Sequence, residues 1–198
     1  MNKKQLEIKL SKLERFDNVK PELEQYATDS DSAAVLLWIA FMNGDIEDKV
    51  VADLGCGNGI FGIGALILGA KKVYFVDIDK DALEIAKKNC EFDNVEFLNL
   101  DVSEFDEKVD VVVMNPPFGV QNVHADKVFL EKSMEISNKV YSIHKIESKD
   151  FIYSLTKDAG FEVSGVKEIN MLLGKTMQFH KKDKHFVKVG IWVLKRKV

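Results

Sequence analysis

Asn115-Pro116-Pro117-Phe118 brings an amide oxygen, a rigid turn and an aromatic ring together within four residues. Each feature suits a planar heterocycle that carries an exocyclic amine. The Asn115 side chain and the Pro116 carbonyl offer acceptors for the two amine hydrogens. The prolines hold φ near about −65° and remove two backbone donors, so no local N–H competes for those acceptors. Asn115, just before a proline, is driven toward an extended backbone. Phe118 is a stacking platform, worth about 1–3 kcal/mol per base. The bland alternative is a strand exit closed by an aromatic plug.

A second set of residues suits a nucleoside. Asp53-Leu54-Gly55-Cys56-Gly57-Asn58-Gly59 follows an apolar run, and Asp77 lies 24 residues after Asp53. Glycines let backbone approach a ligand closely, and an acid at the next strand tip can accept both ribose hydroxyls. A literal GxGxxG exists at Gly57, Gly59 and Gly62, but it starts two residues past the strand end; in the frame that starts at that end, Ile60 replaces the needed glycine. Asp53 would repel a pyrophosphate, whereas it would attract a sulfonium-bearing amino acid or, through water, its ammonium. The expected cofactor is therefore S-adenosylmethionine rather than NAD. Asp101 can accept from an adenine amine, with the Val102 backbone beside it. Cys56 reads as a small loop residue, not a nucleophile.

The elements that must hold these residues follow from periodicity. Short apolar runs at 49–54, 72–76, 95–98, 109–114 and 140–143 read as strands, alternating with helices at 60–68, 80–90 (capped by Asp79), 126–137 and up to about 157. Two helices precede them, at 2–16 and 32–42, the second capped by Ser30 or Asp31. A strand from 160 to 169, a loop over 170–185 and a strand over 186–194 close the chain. This alternation predicts a Rossmann-like α/β fold: a mostly parallel seven-stranded sheet with a C-terminal antiparallel hairpin, helices on both faces and an N-terminal helical extension. Ligands then bind beyond the carboxyl ends of the strands, where Gly55, Asp77, Asp101 and Asn115 converge.

The 198 residues suit one domain, with 1–44 as the helical extension packed on it, and 46% hydrophobic content suffices for a core. There is no apolar run long enough to span a membrane and no signal-peptide pattern. Two cysteines, Cys56 and Cys90, and four histidines show no metal-ligand spacing, so a reduced, cytoplasmic protein without a metal site is expected. Net charge is −4, but unevenly spread: residues 167–198 carry nine Lys/Arg against two acids, and the rest carries 19 against 30. A basic tail on an acidic body suits a local polyanion contact, or a lysine-rich edge strand that blocks aggregation.

The glycine turn, Asp77 and Asn-Pro-Pro-Phe together resemble the class I N6-adenine (amino) methyltransferases. The chain is most similar to the small methyltransferase-like protein five family, which methylates an adenine N6 in small-subunit ribosomal RNA. Stretches 23–28, 50–57, 77–85, 114–119, 140–145 and 179–182 carry that likeness, the Gln25-Tyr26-Ala27-Thr28 and Phe179-His180-Lys181-Lys182 pieces most specifically; Ala27 stands where members often have proline. The resemblance implies that Gln25 and Thr28 reach the cofactor from outside the core fold. It implies that Gly55, Asn58, Asp77 and Asp101 line its pocket; Asp53, Gly57, Gly59, Ile78 and Val102 complete the expected set. Asn115, Pro116, Pro117 and Phe118 would hold the target adenine, and Phe179, His180, Lys181 and Lys182 the RNA. A small zinc-binding activator subunit is an implied partner. The competing readings are methylation of guanine N2, of adenine N6 in DNA or of a protein glutamine, and a non-catalytic scaffold.

Overall fold

The protein is described by a computed structural model that covers residues 1–15, 20, 25, 28–118, 125–173 and 185–197. Among these, strands β1 (Val50–Leu54), β2 (Lys72–Asp77), β3 (Val95–Asn99), β4 (Val111–Met114), β5 (Lys139–Lys145), β6 (Phe161–Leu173) and β7 (His185–Arg196) form one sheet in the order β3-β2-β1-β4-β5-β7-β6. The first five run parallel; β7 is antiparallel to both β5 and β6. The strand order reverses between β1 and β4, the switch point at which a crevice opens.

Both faces of the central strands are buried, so their sequences read as near-continuous apolar runs, interrupted in β1 by the buried Asp53. Val51, Val73, Phe75, Val111, Val113, Tyr141 and Ile143 face one core, which also takes in residues of helices α1 (Lys3–Leu10), α2 (Ser30–Met42), α3 (Ile60–Ile67) and α4 (Lys80–Asn89). Ala52, Leu54, Tyr74, Val76, Val112, Met114 and Val140 face the other, with residues of α5 (Ala125–Ile136) and α6 (Lys149–Asp158). Among the described residues, no helix is long and apolar enough to cross a membrane.

Three elements differ from the sequence expectation. The first helix ends at Leu10, because only Leu6 and Leu10 are buried on it, and the chain then turns to meet the glycine loop. Asp29, not Ser30 or Asp31, caps α2, its Oδ1 accepting from the Ser32 N–H at 3.0 Å. The strand expected to stop at 169 continues to Leu173: Met171 pairs with Val187 and Leu172 with Phe186, so part of the expected loop is ladder.

Candidate active site

Leu54 and Met114 are register partners on adjacent parallel strands, so the next residue of each, Gly55 and Asn115, leaves the sheet beside the other. The two motifs read from the sequence thus share one crevice.

On the β1–β2 side the crevice is built from backbone. The N–H groups of Gly55 and Cys56 both donate to the Val76 carbonyl, at 2.8 and 3.0 Å, which folds the turn back onto β2. Gly55 has φ +66°, and a Cβ there would also stand 2.9 Å from the Phe129 ring, so a side chain is excluded twice. Asp77, at the tip of β2, accepts from Gly57 N–H on one oxygen and Asp79 N–H on the other, both at 2.9 Å. Each oxygen retains a second lone pair, enough to accept two ribose hydroxyls. Burial raises the Asp77 pKa above the ordinary carboxylate value, while those two amides pull it down. Ile78, next to it, is 55% exposed at the same edge.

Asp53 lies beneath this turn. Gly59, the N-cap of α3, has no side chain to satisfy the first helical amides. Asp53 Oδ2 does so instead, accepting from Gly62 N–H at 2.8 Å. Its Oδ1 is buried and has no hydrogen-bond partner among the described residues. Burial pushes the carboxyl well above its usual range. An orphaned buried acceptor beside a nucleoside half-site fits a cationic amino-acid moiety, reached directly or through water, and does not fit a pyrophosphate.

Other members of the expected cofactor set are tied into the fold. Asn58, 4% exposed, donates its amide to the Glu14 carbonyl at 2.9 Å. Asn89 bonds both Glu14 and Asn58, so the chain after α1 is fastened to the glycine turn. Gln25 donates to Asp79 Oδ2 and Lys20 to Asp79 Oδ1, each at 2.6 Å. Burial alone would raise Asp79; the Lys20 ammonium and Gln25 amide bring it below its ordinary value. Asp101 caps the 3₁₀ turn Val102–Glu104, its Oδ1 accepting from Ser103 N–H at 2.8 Å, and the Val102 side chain packs into the second core. Cys56 is buried, its thiol pushed up by desolvation, which suits a packing residue and not a nucleophile.

On the β4 side the crevice is built from side chains. Val111 and Val113 face the α2 side of the sheet, and the pleat sends Asn115 the same way. There Asn115 Nδ2 donates to Thr28 Oγ1 at 2.9 Å and lies 3.9 Å from Met171 Sδ. Asn115 Oδ1 is buried without a hydrogen-bond partner among the described residues. Phe118 packs at the edge of the first core with the Lys145 ammonium 5.6 Å from its ring centroid. The arrangement can accept an amine hydrogen at Asn115 Oδ1 while a ring packs on Phe118. Thr28, expected at the cofactor, touches Asn115. Phe179, His180, Lys181 and Lys182 lie outside the described residues. Met171 carries no motif and was invisible in the sequence, and Asp79 was legible only as a helix cap.

A doubly wound sheet with a nucleoside half-site beside an amine-accepting corner defines a class I, S-adenosylmethionine-dependent methyltransferase. The chain belongs to the methyltransferase small-domain family, whose sequence profile matches residues 26–139. It is 36% identical to the rRNA N(6)-adenosine-methyltransferase METTL5 of Danio rerio over 192 residues, 92% of this chain and 93% of that protein. With the Drosophila melanogaster rRNA N(6)-adenosine-methyltransferase Mettl5 it shares 33% identity over 200 residues, 96% and 94% of the two chains. The crystal structure of PH1948 from Pyrococcus horikoshii superposes with a TM-score of 0.95 at 43% identity, covering 100% of this chain and 99% of that one.

Proposed function

We propose that the protein transfers a methyl group from S-adenosylmethionine to the N6 amine of an adenine in ribosomal RNA, in the small subunit. The observation that carries the reading is the pairing of Leu54 with Met114, which makes neighbours of the glycine turn and of an Asn115 whose buried oxygen has no partner among the described residues. The relatives named for rRNA adenosine N6 methylation support the substrate class.

The cofactor, when bound, supplies an electrophilic methyl on a sulfonium. The chain's own residues do the rest. Asp77 takes the ribose hydroxyls, and Asp53 favours the amino-acid end. Gly55, Gly57, Gly59, Ile78, Asp101 and Val102 line the remainder, with Asn58 and Gln25 at its margin and Thr28 beside Asn115. Asn115 Oδ1 and the Pro116 carbonyl accept the two N6 hydrogens of a flipped or single-stranded adenine that stacks on Phe118. That draws the nitrogen toward sp³ and frees its lone pair to form the N–C bond as the C–S pair returns to sulfur; one N6 proton then leaves to solvent. No strong base is required, and alignment of the reactants can supply about 7–11 kcal/mol. Phe179, His180, Lys181 and Lys182 hold the RNA, so binding weakens with salt.

The reading takes 1–198 as a single domain with residues 1–44 as its helical extension. It assigns a cytoplasmic location, supported by two cysteines that are free in the structure. It includes a small zinc-binding activator subunit as protein partner, checked by co-purification. The central test is nucleoside mass spectrometry after incubation of undermodified ribosomal RNA with the protein and S-adenosylmethionine. N6-methyladenosine in the small-subunit RNA is the expected product; methylated guanosine, or no product with cofactor binding intact, overturns the reading.

A further inference from the structure

We propose that Thr28 and Met171 are positioning residues that decide which end of the Asn115 amide meets the substrate. The inference rests on the assignment of Asn115 as an acceptor for the substrate amine and deepens it.

An asparagine amide has two nearly isosteric ends of opposite hydrogen-bonding character, and rotation about its terminal bond is broad and roughly two-fold. Only one orientation serves the reaction. With the oxygen toward the base, Asn115 accepts from the amine; with the nitrogen there, two donors meet and the amine is repelled. The backbone of the Asn-Pro-Pro turn does not choose between these, since both ends occupy the same volume.

The neighbours of Nδ2 make the choice. Thr28 Oγ1 stands 2.9 Å away and Met171 Sδ 3.9 Å away. A hydroxyl alone would not select an end, because it can donate or accept. The thioether sulfur can only accept, so the amide end that faces it must be the donor. With Nδ2 directed at both, Oδ1 is turned away, buried and without a hydrogen-bond partner among the described residues. A buried acceptor left so costs about 1–3 kcal/mol in the absence of a partner. The fold tolerates that cost at the spot where an amine would remove it.

The two positioning residues are themselves held in mutual register. Thr28 is 8% exposed and Met171 is fully buried. The residue after each joins them: Asp29, the cap of α2, accepts from the Leu172 N–H at 3.2 Å and from the Ser32 hydroxyl at 2.7 Å on the same carboxylate oxygen. This staple between the start of α2 and the end of β6 fixes Thr28 and Met171 against Asn115, although the three are spread over most of the chain. Thr28 therefore acts through Asn115, a role different from the cofactor contact that the family resemblance implies for it.

The test compares Thr28→Val, which keeps shape and deletes the hydroxyl, with Thr28→Ser, which restores it. Turnover is measured on undermodified ribosomal RNA and S-adenosylmethionine affinity by calorimetry. The expected result is a kcat about tenfold lower in Thr28→Val, the size of one neutral hydrogen bond lost from the transition state. Cofactor affinity stays within about twofold, and most of kcat returns in Thr28→Ser. A loss of cofactor affinity with kcat unchanged gives Thr28 to the cofactor pocket and overturns the proposal. So does a kcat equal to that of the native protein. Should Thr28→Val fail to fold, Met171→Leu, nearly volume-conserving, reads the same orientation: kcat falls with cofactor affinity kept, and an unchanged kcat overturns the pairing. Asn115→Ala is run alongside. Turnover kept there sinks the reading of the site and the proposal with it; turnover lost there but intact in Thr28→Val sinks the proposal alone.

Discussion

Around Gly55 the ligand edge is made of main chain: amides folded onto Val76, a left-handed glycine and a carboxylate that bonds two backbone N–H groups. Around Asn115 it is made of side chains from three distant segments, Thr28, Asn115 and Met171. The first half is local in sequence: its amides and its carboxylate all lie within residues 53–79. The second exists only after α2, β4 and β6 have packed. A cofactor common to many reactions can be held by a stereotyped backbone cradle, whereas orienting one amide toward one amine takes specific neighbours. Damage to the two halves should therefore read out differently, in affinity on one side and in turnover on the other.

The largest effect is expected at the side-chain half. Asn115→Ala should lower kcat by about 10²–10³-fold, the scale of removing one preorganised transition-state hydrogen bond, with S-adenosylmethionine affinity unchanged. Steady-state kinetics with calorimetry in parallel checks it; equal losses in both would erase the division of labour.

Acid should act with opposite sign on a buried histidine of the sheet and on the two carboxyls of the backbone half. His144, on β5 beside β4, is held down by burial to about 3 against 6.5 when free. Between those values the unfolded chain takes a proton that the folded one refuses. Its contribution is complete above about pH 6.5 and is lost as pH falls, at up to about 1.4 kcal/mol per pH unit. Asp53 and Asp77 are raised by burial, so protonating them on acidification favours the folded state. Urea titrations from pH 7 to pH 4 should show that His144→Phe removes a loss of stability on acidification that the native protein carries. A slope untouched by that substitution would place the acid sensitivity elsewhere.

Gly62→Ala probes the packing under the backbone half. The added Cβ would come within 2.7 Å of two Phe75 ring atoms in the buried core and disturb the N–H that Asp53 uses. A loss of about 1–3 kcal/mol is expected, read as a fall in Tm of several degrees. The smallest effect is expected from Asp77→Asn. One oxygen then replaces two acceptors for Gly57 and Asp79, and cofactor affinity should weaken about tenfold while kcat at saturating cofactor holds. A collapse of kcat instead would mean that the two halves are not separable.

Legibility followed the same divide. The glycine turn, Asp77, the Asp79 cap and the strand alternation were readable because each is a short-range rule: a positive φ needs glycine, a helix start needs an acceptor, a doubly buried strand needs an apolar run. The cap of α2 was misplaced by one or two residues because Asp29, Ser30 and Asp31 are all competent cappers, and the contact with Leu172 favours the first. The expected end of β6 fell short because Asn170 interrupts the apolar pattern at a position where the pairing with β7 continues. Met171 was missed for that reason. Asn58, expected at the cofactor, also fastens Glu14, a partner 44 residues away that no spacing rule connects to it.

The sequence by itself determined the class of fold, the two loops that face the ligand and the kind of chemistry each can do, because those follow from residue types and from contacts between near neighbours. Only the tertiary structure decided that Asp53 is left with one buried oxygen unpaired among the described residues and that the Asn115 amide has a definite direction. Both depend on which atoms from remote segments arrive within hydrogen-bonding distance, and that is set by the packing of helices against the sheet and not by any local preference of the chain.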